Sequence, residues 1–139
     1  MIILDTNVLS EALRPTPNDV VMAWLDAQPR SSLFTTAITR AEIFYGLGLL
    51  PDGSRRHQLT RVVEVIFDED FAGRVLGFDS DAADAYATIA VARRSAGRSI
   101  SQFDAMIAAT AQSRGAALAT RNVKDFTDCG ISVIDPWVC

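Results

Sequence analysis

The sequence predicts a three-layer α/β/α domain built on a mostly parallel central sheet. Short apolar runs such as "MIIL" and "AALA" alternate with segments of helical length and spacing. Such unbroken apolar runs read as fully buried strands. Buried strands separated by helices are the pattern of a parallel sheet covered on both sides.

Each element follows in turn. Residues 2–5 read as a buried strand, and 6–14 as a short helix that must end before Pro15. In 18–28, "NDVVMAWLDAQ", Val21, Trp24 and Leu25 share one helical face. "SLFTT" (32–36) is a second strand, and 39–50 a helix stopped by the loop "PDGS". Residues 55–71 are amphipathic, with Leu59, Val62, Val63 and Ile66 expected inward. "RVLGFD" (74–79) is a third strand; 80–96 is a helix closed by Gly97. An apolar helix over 101–115, a strand over 116–120 and a last strand over 131–135 complete the chain before Pro136.

With 139 residues, the chain is expected to form one domain spanning 1–139. No apolar stretch is long enough for a membrane span, and no basic segment precedes the N-terminal run, so a cytoplasmic protein is expected. Cys129 and Cys139 are expected to be free thiols. A net charge of −4 argues against a passive nucleic-acid binder with a broad basic face. It leaves room for an enzyme acting on nucleic acid, because a bound cation can bring positive charge to the site. The basic set is twelve Arg and the single Lys124. Arg14, Arg40, Arg93, Arg94 and Arg98 are candidates for phosphate contact through the planar guanidinium fork.

The informative residues are acids. Asp5 ends an apolar run, and an ionised Asp is rarely buried without a partner. Thr39 with Glu42, Ser101 with Asp104, and Asn122 with Asp125 have the spacing of a capping box, so a cap accounts for any one of them alone. Parallel strands nevertheless carry their carboxyl ends, and the helix starts beyond them, to one rim of the sheet. Asp5, Glu42 and Asp104 would meet there with Asn122 or Asp125 beside them. Like charges in one cleft repel unless a cation joins them, and oxygen donors without His or Cys suit Mg²⁺, with Mn²⁺ possible. His57, the only histidine, lies in the polar stretch "GSRRHQ" and reads as surface. No P-loop or dinucleotide fingerprint is present.

Four ordered blocks, "MIILDTNVLSEALRP", "AITRAEIFYGL", "ISQFDAMIAATA" and "LATRNVKDF", resemble the motifs of the PIN domain. More narrowly they resemble the VapC toxins of toxin–antitoxin pairs, including the FitB-like branch. The resemblance implies a Mg²⁺-dependent ribonuclease of PIN-like α/β/α fold. Asp5 and Asp104 match the family's metal-binding aspartates and Glu42 its catalytic acid, which is also a candidate ligand. Asn122 stands where many relatives carry a fourth Asp; the change removes a ligand charge. Asp125 reads better as a cap of the short "NVKDF" helix. Thr6 matches a polar position that orients Asp5 or a water. The expected partners are an RNA substrate, a VapB-like antitoxin, DNA only through that antitoxin, and a second copy in a homodimer formed through 18–28 or 39–50. The competing reading is a non-catalytic or DNA-associated PIN module acting through its partner complex.

Overall fold

The computed structural model describes residues 1–139. Five strands form one sheet in the order β3-β2-β1-β4-β5, where β1 is Ile2–Leu4, β2 Leu33–Thr36, β3 Val75–Leu76, β4 Ala117–Ala119 and β5 Val133–Ile134. All four pairings are parallel. Six α-helices cover the sheet: α1 Thr6–Ala12, α2 Asp19–Ala27, α3 Ala37–Gly48, α4 Ser54–Val65, α5 Ser80–Ser95 and α6 Gln102–Arg114.

Two hydrophobic cores sandwich the sheet, and the period-two alternation of the strands deals residues between them. Ile3 and Leu118 face a core built with Ile89, Ile107, Ala108 and Phe126, on the side of α5 and α6. Their neighbours Leu4 and Ala119 face the other, with Val8, Val21, Ile43 and Val63 from α1 to α4 and Phe67 just beyond α4. The expected three layers are therefore present. No helix is long and apolar enough to cross a membrane.

Element boundaries differ from the sequence reading where side chains intervene. Asp5 is not in the strand; its carboxylate accepts from the Thr6 amide and caps α1. The third strand shrinks from 74–79 to Val75–Leu76, because Asp79 already serves as the cap of α5, accepting from the Ala82 amide at 2.9 Å. The amphipathic segment 55–71 splits into α4 and a π-helical turn over Ile66–Asp70. That wider turn still delivers Phe67 and Phe71 to the core. Val62, expected inward, is 50% exposed.

The chain leaves β1 toward β2 and β3 on one side, then crosses to β4 and β5 on the other. In a doubly wound sheet the crevice opens where the strand order reverses, outside the carboxyl ends of the central strands. Here those ends are Asp5, after β1, and Thr120, after β4. The Asp5 amide bonds the Ala119 carbonyl at 2.9 Å, so the ladder runs right up to the crevice.

Candidate active site

Asp5 lies at the floor of this crevice and is only 4% exposed. Its Oδ1 accepts from the Thr6 amide at 2.8 Å. Its Oδ2 accepts from the Thr120 hydroxyl at 2.7 Å and the Asn7 side-chain amide at 3.3 Å. A carboxylate has roughly four acceptor positions, so these bonds fix the group and leave capacity toward the opening. Asn7 and Thr120 are fixed in turn. The Asn7 amide donates to the Thr120 hydroxyl at 3.1 Å, and Asn7 Oδ1 accepts from the Arg121 amide at 3.2 Å. The Asn122 amide donates to Thr120 Oγ1 at 3.1 Å.

A second polar chain holds Glu42. The Thr6 hydroxyl lies 2.7 Å from Glu42 Oε1, to which it donates, and 3.1 Å from Thr39 Oγ1. Thr39 is itself held by Thr36, whose hydroxyl oxygen accepts from the Thr39 amide at 3.1 Å and caps α3. The expected Thr39–Glu42 capping box is therefore absent. The helix starts at Ala37, leaving Glu42 in its second turn with its carboxylate turned toward α1.

Asp104 arrives from the other core. Ser101 caps α6 by accepting from the Asp104 amide at 3.3 Å, half of a capping box. Glu42 and Asp104 line one open depression of about 430 Å³ with Ser101, Gln102 and Phe103. Asn122 and Asp125 are exposed, and Asp125 is near enough for its charge to act on Asp104. The turn over Val123–Phe126 has no side-chain cap bond, which corrects the expectation that Asp125 caps it. What holds that turn is the Asn122 carbonyl, accepting from the Asp125 amide at 3.0 Å.

Electrostatics register the convergence. Burial pushes the Asp5 carboxyl up to about 6, against the stabilising bonds from Thr120 and Thr6, and the charges of Asp104 and Glu42 push the same way. Asp104 is also raised, first by burial and then by Asp125, with the Ser101 hydroxyl pulling it back. The donors are carboxylate, amide and hydroxyl oxygens with no His or Cys among them, a set suited to a hard divalent cation. The fit is chemical rather than geometric. As the side chains stand, no three His, Cys, Asp or Glu groups close on a point that could hold an ion. Mutual repulsion of uncompensated carboxylates favours that splayed arrangement.

Four of the five arginines expected to meet phosphate have other partners. Arg40 stacks on Phe44 and Phe67 and pairs with Asp68 at 2.9 Å. Arg14 pairs with Glu11 at 3.3 Å, Arg98 pairs with Asp128, and Arg93 is buried. Arg94 alone is exposed without an ion pair. His57 lies on the surface near Asp52, and the two cysteines are unpaired, both as expected. Sequence reading passed over Thr120, Thr36 and Phe103. Thr120 carried a signal, a hydroxyl at the end of a buried strand near Asn122; Phe103, beside Asp104 in sequence, is 48% exposed at the rim of the depression.

A parallel α/β/α domain with acids gathered at its switch point is the architecture of the PIN domain, whose family profile matches residues 2–129. The chain belongs to the PIN domain family, within it to the branch of VapC and FitB toxins. It is 42% identical over 137 residues to "VapC ribonuclease Y4jK" of Sinorhizobium fredii, covering 99% of this chain and 98% of that protein. It is 41% identical to "Toxin FitB" of Neisseria gonorrhoeae, covering 99% of both. The solved "Structure of FitAB bound to IR36 DNA fragment" superposes with a TM-score of 0.93 at 41% identity, covering 99% of this chain and 96% of that one.

Proposed function

We propose that this chain is the toxin of a toxin–antitoxin pair and a metal-dependent endoribonuclease. One observation supports the chemistry above others: a buried carboxyl, Asp5, raised to about 6 and facing Glu42 and Asp104 at the switch point of the sheet. Such a group is costly to keep unless it serves charge-based chemistry. Its relatives bear the names ribonuclease and toxin.

Asp5 and Asp104 would hold Mg²⁺ or Mn²⁺, with Glu42 beside them. When bound, the ion supplies positive charge to the scissile phosphate and lowers the pKa of a water. Thr6 holds Glu42 through Oε1 and leaves Oε2 to accept a proton from the attacking water. The water oxygen bonds to phosphorus as the P–O3′ bond breaks, and the leaving 3′ oxygen takes a proton from solvent. The products carry 5′-phosphate and 3′-hydroxyl ends. Phe103, exposed next to Asp104, offers a face on which a nucleobase can stack.

The partners follow from the site and the relatives. A groove of about 360 Å³ is lined by Leu13, Ile43, Leu47 and Leu59 together with Thr6 and Glu42. An antitoxin tail lying in it could set an Arg against the acids and take the cation's place. DNA would be met only through that complex, as the FitAB–DNA structure suggests by analogy. Tyr45 on α3 and Leu49 at its C-cap, 70% and 69% exposed and one turn apart, suit a homodimer contact.

The test uses purified, chelator-treated protein and end-labelled single-stranded RNA. Restored cleavage on adding Mg²⁺ or Mn²⁺, with 5′-phosphate products and loss in Asp5→Asn, is the expected result. The competing reading is a non-catalytic or DNA-associated PIN module acting mainly through its partner complex. Absence of metal-dependent cleavage would select it.

A further inference from the structure

The inner face of α5 runs Ala82, Ile89 and then Arg93, so a core position is filled by a cation that is 5% exposed. No carboxylate pairs with it. Its Nε donates to the Arg98 carbonyl at 2.7 Å, and its Nη1 to the carbonyls of Asp125 at 2.9 Å and Thr127 at 2.8 Å. The Cys129 sulfur lies 3.7 Å from the same nitrogen. A buried guanidinium satisfied by main-chain oxygens fixes those oxygens in direction as well as distance.

The two segments it joins are the two that deliver the distal half of the site. Arg98 lies in the connection leading to Ser101, the cap of α6, and to Asp104. Asp125 lies in the turn that follows Asn122, and its charge reaches Asp104; Thr127 ends that turn. The Arg98 side chain crosses back over the same seam to Asp128 and Thr127. Phe126 then closes the turn onto α6, packing in the core with Ile107 and Ala108.

We propose that Arg93 is a positioning residue of the site: its guanidinium locks the approach to α6 against the turn after β4, setting Asp104 relative to Asn122 and Asp125. The inference rests on the metal-site reading above, and it assigns the site's distal geometry to a residue that touches neither substrate nor ion. A neutral replacement would leave the carbonyls of Arg98, Asp125 and Thr127 without their common donor. The turn would then drift from α6 while Asp5 and Glu42, held by threonines on other elements, stay in place.

The experiment measures Mn²⁺ binding to the full-length protein by the loss of the free-ion paramagnetic signal, at a temperature where circular dichroism shows every variant folded. Arg93→Met is expected to weaken Mn²⁺ at least tenfold, and Arg93→Lys, which keeps charge but loses the fork, by a smaller factor. Val63→Ala, in the opposite core and matched for lost thermal stability, is expected to bind like wild type. Wild-type affinity in Arg93→Met, or in Arg93→Lys where the Met variant does not fold, overturns the proposal. Equal weakening in Val63→Ala does so too. Wild-type protein that binds no Mn²⁺ overturns the metal site itself, a separable failure.

Discussion

The hydroxyl of Thr120 donates to Oδ2 of Asp5 across 2.7 Å, joining the ends of two adjacent parallel strands whose residues are 115 positions apart in the chain. The bond has no exposure to solvent at Thr120, and it is one link in a hub that also receives the amides of Asn7 and Asn122. Removing it tests the site without touching a proposed ligand. Thr120→Val is expected to leave those two donors and Asp5 short of a partner, costing about 2 kcal/mol of stability. Thr120→Ser should restore most of it. Chemical denaturation of both variants checks the order, and a valine variant as stable as wild type would refute the hub.

Asp5→Asn should separate stability from activity. With the carboxyl at about 6, keeping it ionised at neutral pH costs the metal-free fold about 3 kcal/mol relative to an ordinary Asp. An amide removes that cost but must rearrange its bonds with Asn7 and Thr120, so a net gain of about 1–2 kcal/mol is expected. Metal-dependent RNA cleavage should fall to background. Thermal melts in chelator, run beside a cleavage assay, check both halves.

The same carboxyl sets a pH dependence. Its folded pKa lies above the unfolded value, so between about pH 4 and pH 6 the folded state holds more protons. Its contribution is therefore fully favourable below the unfolded pKa and is lost as pH rises through about 6. Asp104 acts in the same direction. The metal-free protein is expected to lose stability across this window, and the slope should flatten in Asp5→Asn. Identical slopes in the two proteins would contradict the assignment.

Phe103 gives a kinetic prediction. If its exposed ring stacks on a base, Phe103→Ala should raise KM for single-stranded RNA roughly tenfold, in line with about 1–3 kcal/mol per stacked base. Phe103→Trp should keep the wild-type value. Steady-state cleavage of a short oligoribonucleotide measures it; an unchanged KM in the alanine variant rules the platform out.

The sheet and helices were legible because burial writes itself into local composition: "MIIL", "SLFTT" and "AALAT" are apolar enough to be strands between helices. The acids were legible because a carboxylate ending an apolar run has few explanations. The threonine hub was not, since a buried Thr looks the same in sequence as a β-branched strand residue. Nor was the fate of the arginines. Whether Arg40 meets phosphate or Phe44 and Asp68 depends on the π-helical turn that brings Phe67 and Asp68 to it, and no short window of sequence encodes that contact. Capping boxes were over-read at Thr39 and Asn122, because spacing states only that a bond could form.

The strand order has a consequence for how the protein is made. Its first strand sits in the middle of the sheet, against a neighbour that is synthesised only at residues 117–119. At about 5–20 residues per second, Asp5 leaves the decoding centre roughly ten seconds before Thr120 exists to receive it. Until then the N-terminal half can pair β1 with β2, but the hydroxyl that anchors Asp5 and Asn122 beyond it are missing, and Asp104 itself is added only 16 residues earlier. A nascent or prematurely terminated chain that lacks β4 thus has no assembled acidic centre, and the ordering confines that centre to molecules in which Thr120 and Asn122 have been made.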